Sequence, residues 1–143
     1  MDFAQIIEFT GNHPFLILAF VGTLAALIYS EISRRLSGML TVGVVEATQL
    51  SNRENAVFLD IREDKEYRGG HIPEAIHIPL SQLSARVSEL GKYKDRPVIA
   101  YCRSGNRSSS AGGVLKKNGF ESVYNLGGGI VAWEKANLPV STK

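Results

Sequence analysis

Two different hydrophobic patterns divide the chain near residue 30. Residues 9–30 contain no charged side chain, and apolar residues occur on every face that a helix would present. Beyond residue 40, short apolar runs alternate with segments in which apolar residues recur every three or four positions. The first pattern predicts one long apolar helix. The second predicts an α/β domain with a small, mostly parallel sheet flanked by helices.

The uncharged segment 9–30 has the length of a membrane-spanning helix. Its 22 residues would extend about 33 Å as an α-helix, and a bilayer core is about 30 Å thick. A cleaved signal peptide is less favoured, because the charges before the segment are acidic and residues 30–33 form a poor cleavage site. A buried core helix would not need apolar residues on every face. The sequence therefore predicts one transmembrane helix.

The charges on either side of this segment predict its orientation. Asp2 and Glu8 precede it, whereas Arg34 and Arg35 follow it. Because positive residues remain on the cytoplasmic side, we expect a single-pass protein of the inner or plasma membrane with a cytoplasmic C-terminal domain. The expected divisions are a tail and transmembrane helix in 1–30, a linker in 31–40 and a folded domain in 41–143.

Within the domain, residue type and spacing predict alternating strands and helices. Short runs rich in β-forming residues predict strands, and these runs are 56–61, 75–78, 97–101 and 122–126. Apolar residues three and four positions apart predict helices at 45–50, 83–90, 108–118 and 130–137, with Ser81 as a cap for the second.

Composition narrows the possible chemistry. A hydrophobic content of 44% is sufficient for a packed core, and a formal net charge of +2 gives no indication of nucleic-acid binding. A single cysteine excludes an intramolecular disulfide bond. One cysteine and three scattered histidines do not form a zinc-ligand set, so no metal is expected.

The segment 98–110 carries the clearest chemical signal. It predicts a strand, a six-residue loop at 102–107 and a helix, with Cys102 at the carboxyl end of the strand, where open α/β sheets place their sites. Gly105 and Asn106 tolerate the left-handed backbone conformations that a tight loop needs. A loop that curls into a helix start directs backbone N–H groups at its own centre, and these donors stabilise an anion there.

Cys102 is either a buried, inert residue or a reactive one, and its neighbours favour the second interpretation. A free thiol has a pKa of about 8.5, so only about 3% is ionised at neutral pH, and a fall of about two units would ionise most of it. Arg103 and Arg107 add two cations near the sulfur. The same loop would hold a persulfide, which is also an anion.

Three motifs in fixed order identify a family. The first is Asp60–Arg62, Glu66–Tyr67 and Gly70–Pro79; the second is Cys102–Arg107 followed by Ser108; the third is Gly119–Phe120, Asn125–Ile130 and Trp133. Together they resemble the rhodanese family of sulfurtransferases over about residues 41–143. The resemblance implies a rhodanese-like fold.

The resemblance also implies a two-step sulfur transfer without a cofactor. Cys102 would take the outer sulfur of a donor such as thiosulfate, and an acceptor such as cyanide or a thiol would remove it. The residues implied in donor binding and in shaping the loop are Arg103, Ser104, Gly105, Asn106 and Arg107. Asp60 and Arg62 are expected to form a supporting ion pair.

Two alternative functions remain open. Cysteine phosphatases that share this fold have five residues between their cysteine and arginine, whereas four separate Cys102 from Arg107, so the resemblance implies a loop too small for phosphate. The second alternative is a membrane-anchored adaptor that binds a protein partner. The complete cysteine loop favours chemistry, although both roles could coexist in one protein.

Overall fold

The computed structural model describes residues 12–36 and 39–142. The chain divides into two compact units, Met1–Leu36 and Ser37–Lys143. The described part of the first unit contains helix α1, Pro14–Leu36. All the strands and the remaining helices described below belong to the second unit.

Helix α1 corrects the prediction of a membrane anchor. In the described ranges, no helix combines the length and the apolar content that crossing a bilayer requires. The helix begins at Pro14 and reaches its first charge at Glu31, so its uncharged part has 17 residues and extends only about 26 Å. The predicted single-pass membrane location is therefore wrong, and the cytoplasmic assignment of the C-terminal domain loses its basis. Residues 9–11 of the predicted span lie outside the described residues.

The second unit is built on a five-stranded sheet in which every pairing is parallel. Its strands are β1 (Leu40–Val42), β2 (Val57–Asp60), β3 (Ile76–His77), β4 (Val98–Tyr101) and β5 (Val123–Leu126). Their order across the sheet is β1-β5-β4-β2-β3, so β4 is the central strand. The four predicted strands are confirmed as β2 to β5, whereas β1 is an additional strand.

Helices and short 3₁₀ turns connect the strands. The helices are α2 (Val44–Glu54), α3 (Asp64–Arg68), α4 (Leu80–Arg86), α5 (Ala111–Lys117) and α6 (Gly129–Lys135). The 3₁₀ segments are Val87–Tyr93 and Ser108–Ser110. The predicted helices are confirmed with shifted ends, but the prediction of Ser81 as a cap is wrong, because α4 begins one residue earlier and Pro79 is its N-cap. Helix α3 is an addition whose N-terminus is closed by a capping box between Glu63 and Glu66.

Two hydrophobic layers cover the two faces of the sheet. Successive strand residues point to opposite faces, so Leu59 and Ala100 join one layer while Phe58 and Ile99 join the other. Strands β2 and β4 are consequently buried along their whole length. The carboxyl end of central strand β4 therefore emerges from a buried hydrophobic core, and the chain there enters the predicted loop.

Candidate active site

Cys102 follows strand β4 directly and lies almost completely inside the protein, with 1% of its surface exposed. The chain then turns through residues 103–107 into the 3₁₀ segment Ser108–Ser110. The backbone N–H of Gly105 donates a hydrogen bond to the Cys102 Sγ at 3.1 Å. The Ser108 hydroxyl oxygen lies 3.5 Å from the same sulfur. The loop thus curls around the sulfur, as the sequence predicts.

These donors change the acidity of the thiol. Burial by itself raises the pKa of Cys102, because a buried thiolate loses its hydration. Hydrogen bonds from the Ser108 hydroxyl and from the backbone N–H groups of Ser108, Ser104 and Gly105 act in the opposite direction. The net result is a Cys102 pKa below its ordinary value, which favours the thiolate.

Two glycines allow neighbouring backbone segments to pack closely at the cysteine loop. Gly105 has φ +92°, and a Cβ there would lie 3.0 Å from the Leu126 carbonyl oxygen. Gly129 has φ +56°, and a Cβ there would lie 2.3 Å from the Cys102 carbonyl oxygen. Because Gly129 carries no side chain, the Ile130 N–H can donate to that same oxygen at 2.9 Å. Helix α6 is thereby fixed against the cysteine loop.

A buried polar chain holds Ser108 in place beneath the loop. Its single hydroxyl proton is shared by two acceptors, the Asn125 Oδ1 at 2.6 Å and the more distant Cys102 Sγ at 3.5 Å, and both Ser108 and Asn125 are buried. Asn125 donates in turn to the Thr41 Oγ1 at 3.4 Å. Because Asn125 belongs to β5 and Thr41 to β1, the donor that faces the sulfur is held by two further strands.

The two arginines of the loop have different partners. Arg107 donates to Glu66 through both terminal nitrogens, at 2.9 and 2.7 Å. Hydrogen bonding to Glu66 raises the pKa of Arg107 most strongly, and the Cys102 sulfur adds to this effect. In residues 39–142, no acidic side chain forms an ion pair with Arg103, which is exposed together with Ser104 and Asn106.

Asp60 and Arg62 form a buried ion pair beside this loop. The Arg62 Nε donates to Asp60 Oδ1 at 3.0 Å and its Nη2 donates to Oδ2 at 2.6 Å, while the same Nη2 reaches the Gly70 carbonyl at 2.7 Å. The Arg62 guanidinium also lies 5.6 Å from the ring centre of Tyr101, the last residue of β4. The pair therefore lies against the end of the strand that leads to Cys102, and its supporting role stays a prediction.

The model of the rhodanese family, described as a rhodanese-like domain, matches residues 44–136. The chain belongs to the rhodanese-like family. It is 36% identical over 137 residues to YibN, an uncharacterized protein of Escherichia coli (strain K12), and this match covers 95% of the chain and 96% of YibN.

Two further relatives of this rhodanese-like chain carry names that include an activity. A sulfurtransferase of Allochromatium vinosum is 41% identical over 92 residues, which cover 64% of the chain and 84% of that protein. The crystal structure of a thiosulfate sulfurtransferase from Pseudomonas aeruginosa aligns with a TM-score of 0.67 at 28% identity, covering 79% of the chain and 22% of that protein.

Three residues that make contacts in the rhodanese-like site have no role in the sequence-based prediction of that site. Glu66 holds Arg107, and Ser108 with Asn125 forms the polar chain beneath the sulfur. All three residues lie in the family motifs, but nothing else in the sequence indicates their roles. The Glu66–Arg107 contact spans 41 positions and the Ser108–Asn125 contact spans 17, so local spacing does not report them. In the described part of the chain, no group of His, Cys, Asp and Glu side chains could hold a metal ion.

Proposed function

We propose that this rhodanese-like chain is a sulfurtransferase that carries a sulfane sulfur on Cys102. The observation that carries the proposal is the hydrogen bond from the Gly105 N–H to the Cys102 Sγ at 3.1 Å, supported by the shared Ser108 hydroxyl at 3.5 Å from the same sulfur. Such donors stabilise an anion on the sulfur. A thiolate and a persulfide both fit this description, whereas an inert thiol would need none of these contacts.

The chemistry follows as a double displacement. The Cys102 thiolate attacks the outer sulfur of thiosulfate, a new S–S bond forms, and the old S–S bond breaks with its electron pair leaving on sulfite. An acceptor thiolate or cyanide then attacks the outer sulfur of the persulfide, and the bonding pair returns to the Cys102 sulfur. Each step conserves charge and needs no external oxidant, reductant or cofactor.

The exposed cation of the loop supplies the attraction for the donor. Arg103 lies next to Cys102 and is exposed, so its guanidinium can meet an anionic donor that approaches from solvent. Four residues separate Cys102 from Arg107, which gives the short loop that the family resemblance associates with sulfur in preference to phosphate. Ser104 and Asn106 line the same exposed turn.

The test is a mass measurement on the protein after incubation with thiosulfate. Wild type should gain the mass of one sulfur atom and lose it again when cyanide or a thiol is added. The Cys102→Ser variant should gain nothing, and it is a clean control because the chain has one cysteine. A wild-type protein that gains no sulfur from thiosulfate or from an alkyl persulfide would refute the proposed function.

A further inference from the structure

The charges at the mouth of the Cys102 site do not balance in the way that the sequence suggests. Arg103 and Arg107 are two cations in one short loop, which would suit a dianion such as thiosulfate. One of these cations, however, is paired with Glu66, whose side chain is about one third exposed (32%). With Arg103, Arg107 and Glu66 counted together, the mouth carries a net charge of +1.

Glu66 is fixed on both sides, so the pairing is a built feature of the site. Its Oε1 and Oε2 accept from the two terminal nitrogens of Arg107 at 2.7 and 2.9 Å. The backbone N–H of Glu63 donates to Oε2 at 3.3 Å, as part of the capping box of α3. Hydrogen bonding to Arg107 is the main reason that the pKa of Glu66 lies below its ordinary value, so the carboxylate is charged at neutral pH.

The other charged pair near the loop leaves this balance unchanged. Asp60 and Arg62 are buried and neutralise each other. Within residues 39–142, no acidic side chain forms an ion pair with Arg103. The net charge of the mouth therefore suits a donor that carries one negative charge.

We propose that Glu66 is a specificity-determining residue that fits the site to monoanionic sulfur donors, such as alkyl persulfides, and disfavours the dianion thiosulfate. The inference rests on the proposed sulfur transfer and narrows its donor class. Its physical basis is that a fixed negative charge at the mouth repels a dianion twice as strongly as a monoanion. Because the pair is partly exposed, solvent and salt moderate the effect without removing it.

The first experiment compares two donors in the Glu66→Gln variant, which keeps the size of the side chain and removes its charge. The ratio of kcat/KM for thiosulfate to kcat/KM for an alkyl persulfide should rise about twofold to fivefold at low salt, which is the size that a solvent-screened ion pair allows. The rise should shrink as ionic strength increases. A ratio that stays constant while both values fall would show a purely structural role and overturn the inference.

The chain offers a matched control for this variant. Arg86 and Glu89 form another two-point ion pair, at 2.7 and 2.9 Å, and both side chains are partly exposed and lie outside the Cys102 loop. Glu89→Gln removes the same charge from the same kind of pair and should leave the donor ratio unchanged. An equal rise in both variants would show that net charge alone matters, and would contradict a specific role for Glu66.

A second experiment reads the same field without any sulfur transfer. Iodoacetate and iodoacetamide alkylate the same thiolate but differ by one negative charge, so their rate ratio cancels changes in the pKa of Cys102. The iodoacetate-to-iodoacetamide ratio should rise in Glu66→Gln, stay constant in Glu89→Gln and fall in Arg103→Gln. If the alkylation ratio rises in Glu66→Gln while the wild-type protein takes up no sulfur, the proposed function is refuted. That pair of results would still support the electrostatic effect of Glu66 on the site. An unchanged ratio, or a Cys102 that neither reagent modifies, would overturn the inference.

Discussion

Two polar groups lie at the same edge of the sheet and behave in opposite ways. The Asp60 pair, Asp60 and Arg62, ends strand β2, and the Cys102 loop, residues 102–107, follows strand β4. The two strands are adjacent and parallel, and Asp60 is in register with Tyr101. Both groups are buried at their centre, and both carry an anion or a group that becomes one.

The difference lies in what satisfies the buried charge. In the Asp60 pair, a guanidinium covers the carboxylate with hydrogen bonds to both of its oxygens. In the Cys102 loop, main-chain N–H groups and one hydroxyl surround the sulfur, and the cation of Arg107 is held by Glu66. A full opposite charge beside Asp60 neutralises its carboxylate, whereas backbone dipoles stabilise the Cys102 anion without forming an ion pair with it. Position at the carboxyl edge of the sheet is therefore not enough to distinguish a buried ion pair from an anion site of this kind.

The largest expected effect comes from opening the Asp60 pair. Asp60→Ala leaves the Arg62 guanidinium buried without its countercharge, which should lower the free energy of unfolding by about 3–5 kcal/mol. Arg62 is 5% exposed and Asp60 is fully buried, so solvent cannot replace the lost partner. Urea denaturation measures the loss. A variant that loses less than the control Glu89→Gln would show that the pair is not a supporting element.

A side chain at Gly129 should disturb the Cys102 loop more than the fold. Gly129→Ala places a Cβ 2.3 Å from the Cys102 carbonyl oxygen. The position has φ +56°, and a non-glycine residue in this left-handed backbone region costs about 1–3 kcal/mol by itself. We expect this loss in denaturation, together with a fall of at least about tenfold in sulfur uptake. Gly113→Ala is the control, because a Cβ there has no neighbour within 4 Å. Equal activity in the two variants would contradict close packing at the loop.

Removing the Ser108 hydroxyl should weaken the anion site selectively. The Ser108 hydroxyl lowers the pKa of Cys102 even though it shares its proton with the Asn125 Oδ1, so Ser108→Ala should raise that pKa. The higher pKa should reduce the thiolate fraction and the alkylation rate near neutral pH, by up to about tenfold. Ser110→Ala, at an exposed neighbouring position, serves as the control. A titration curve for Ser108→Ala that overlays the wild-type curve would remove Ser108 from the site.

The smallest effect is expected from the exposed cation of the loop. Arg103→Gln should raise the KM for thiosulfate by about twofold to fivefold at low salt and leave the free energy of unfolding unchanged, because the side chain is solvated. The KM difference should disappear as ionic strength rises. Steady-state kinetics at several salt concentrations measure it. A KM that does not depend on salt in either protein would exclude an electrostatic role for Arg103.

The sequence predicts most of the fold because its strands are buried on both faces. The run at 56–61 is apolar almost throughout, and β2 within it is buried at every position. Strand β1 is missed because it has three residues, of which only Val42 is buried, and its partner strand β5 lies more than 80 positions along the chain. Helix α3 is missed because five residues are too few to show a helical period.

The site is only partly predictable for a related reason. Cys102 and Gly105 occupy one continuous segment, so local spacing is enough to find them. The contact between Glu66 and Arg107 spans 41 positions, and no local pattern reports it. The membrane prediction fails because it counts uncharged residues along the sequence, whereas the described helix begins later, at Pro14, and reaches the charged Glu31.

The most direct test of the account is a titration of the Cys102 thiol, followed by the ultraviolet absorbance of the thiolate or by the rate of alkylation. The Cys102→Ser variant gives the baseline, since the chain has no other cysteine. If backbone and hydroxyl donors stabilise the anion, the midpoint of the thiol titration lies below the ordinary thiol pKa of about 8.5. The alkylation rate has then already reached its plateau at about pH 8.5. A midpoint at or above the ordinary value would show that burial dominates, and would contradict the claim that the loop holds Cys102 as a reactive thiolate.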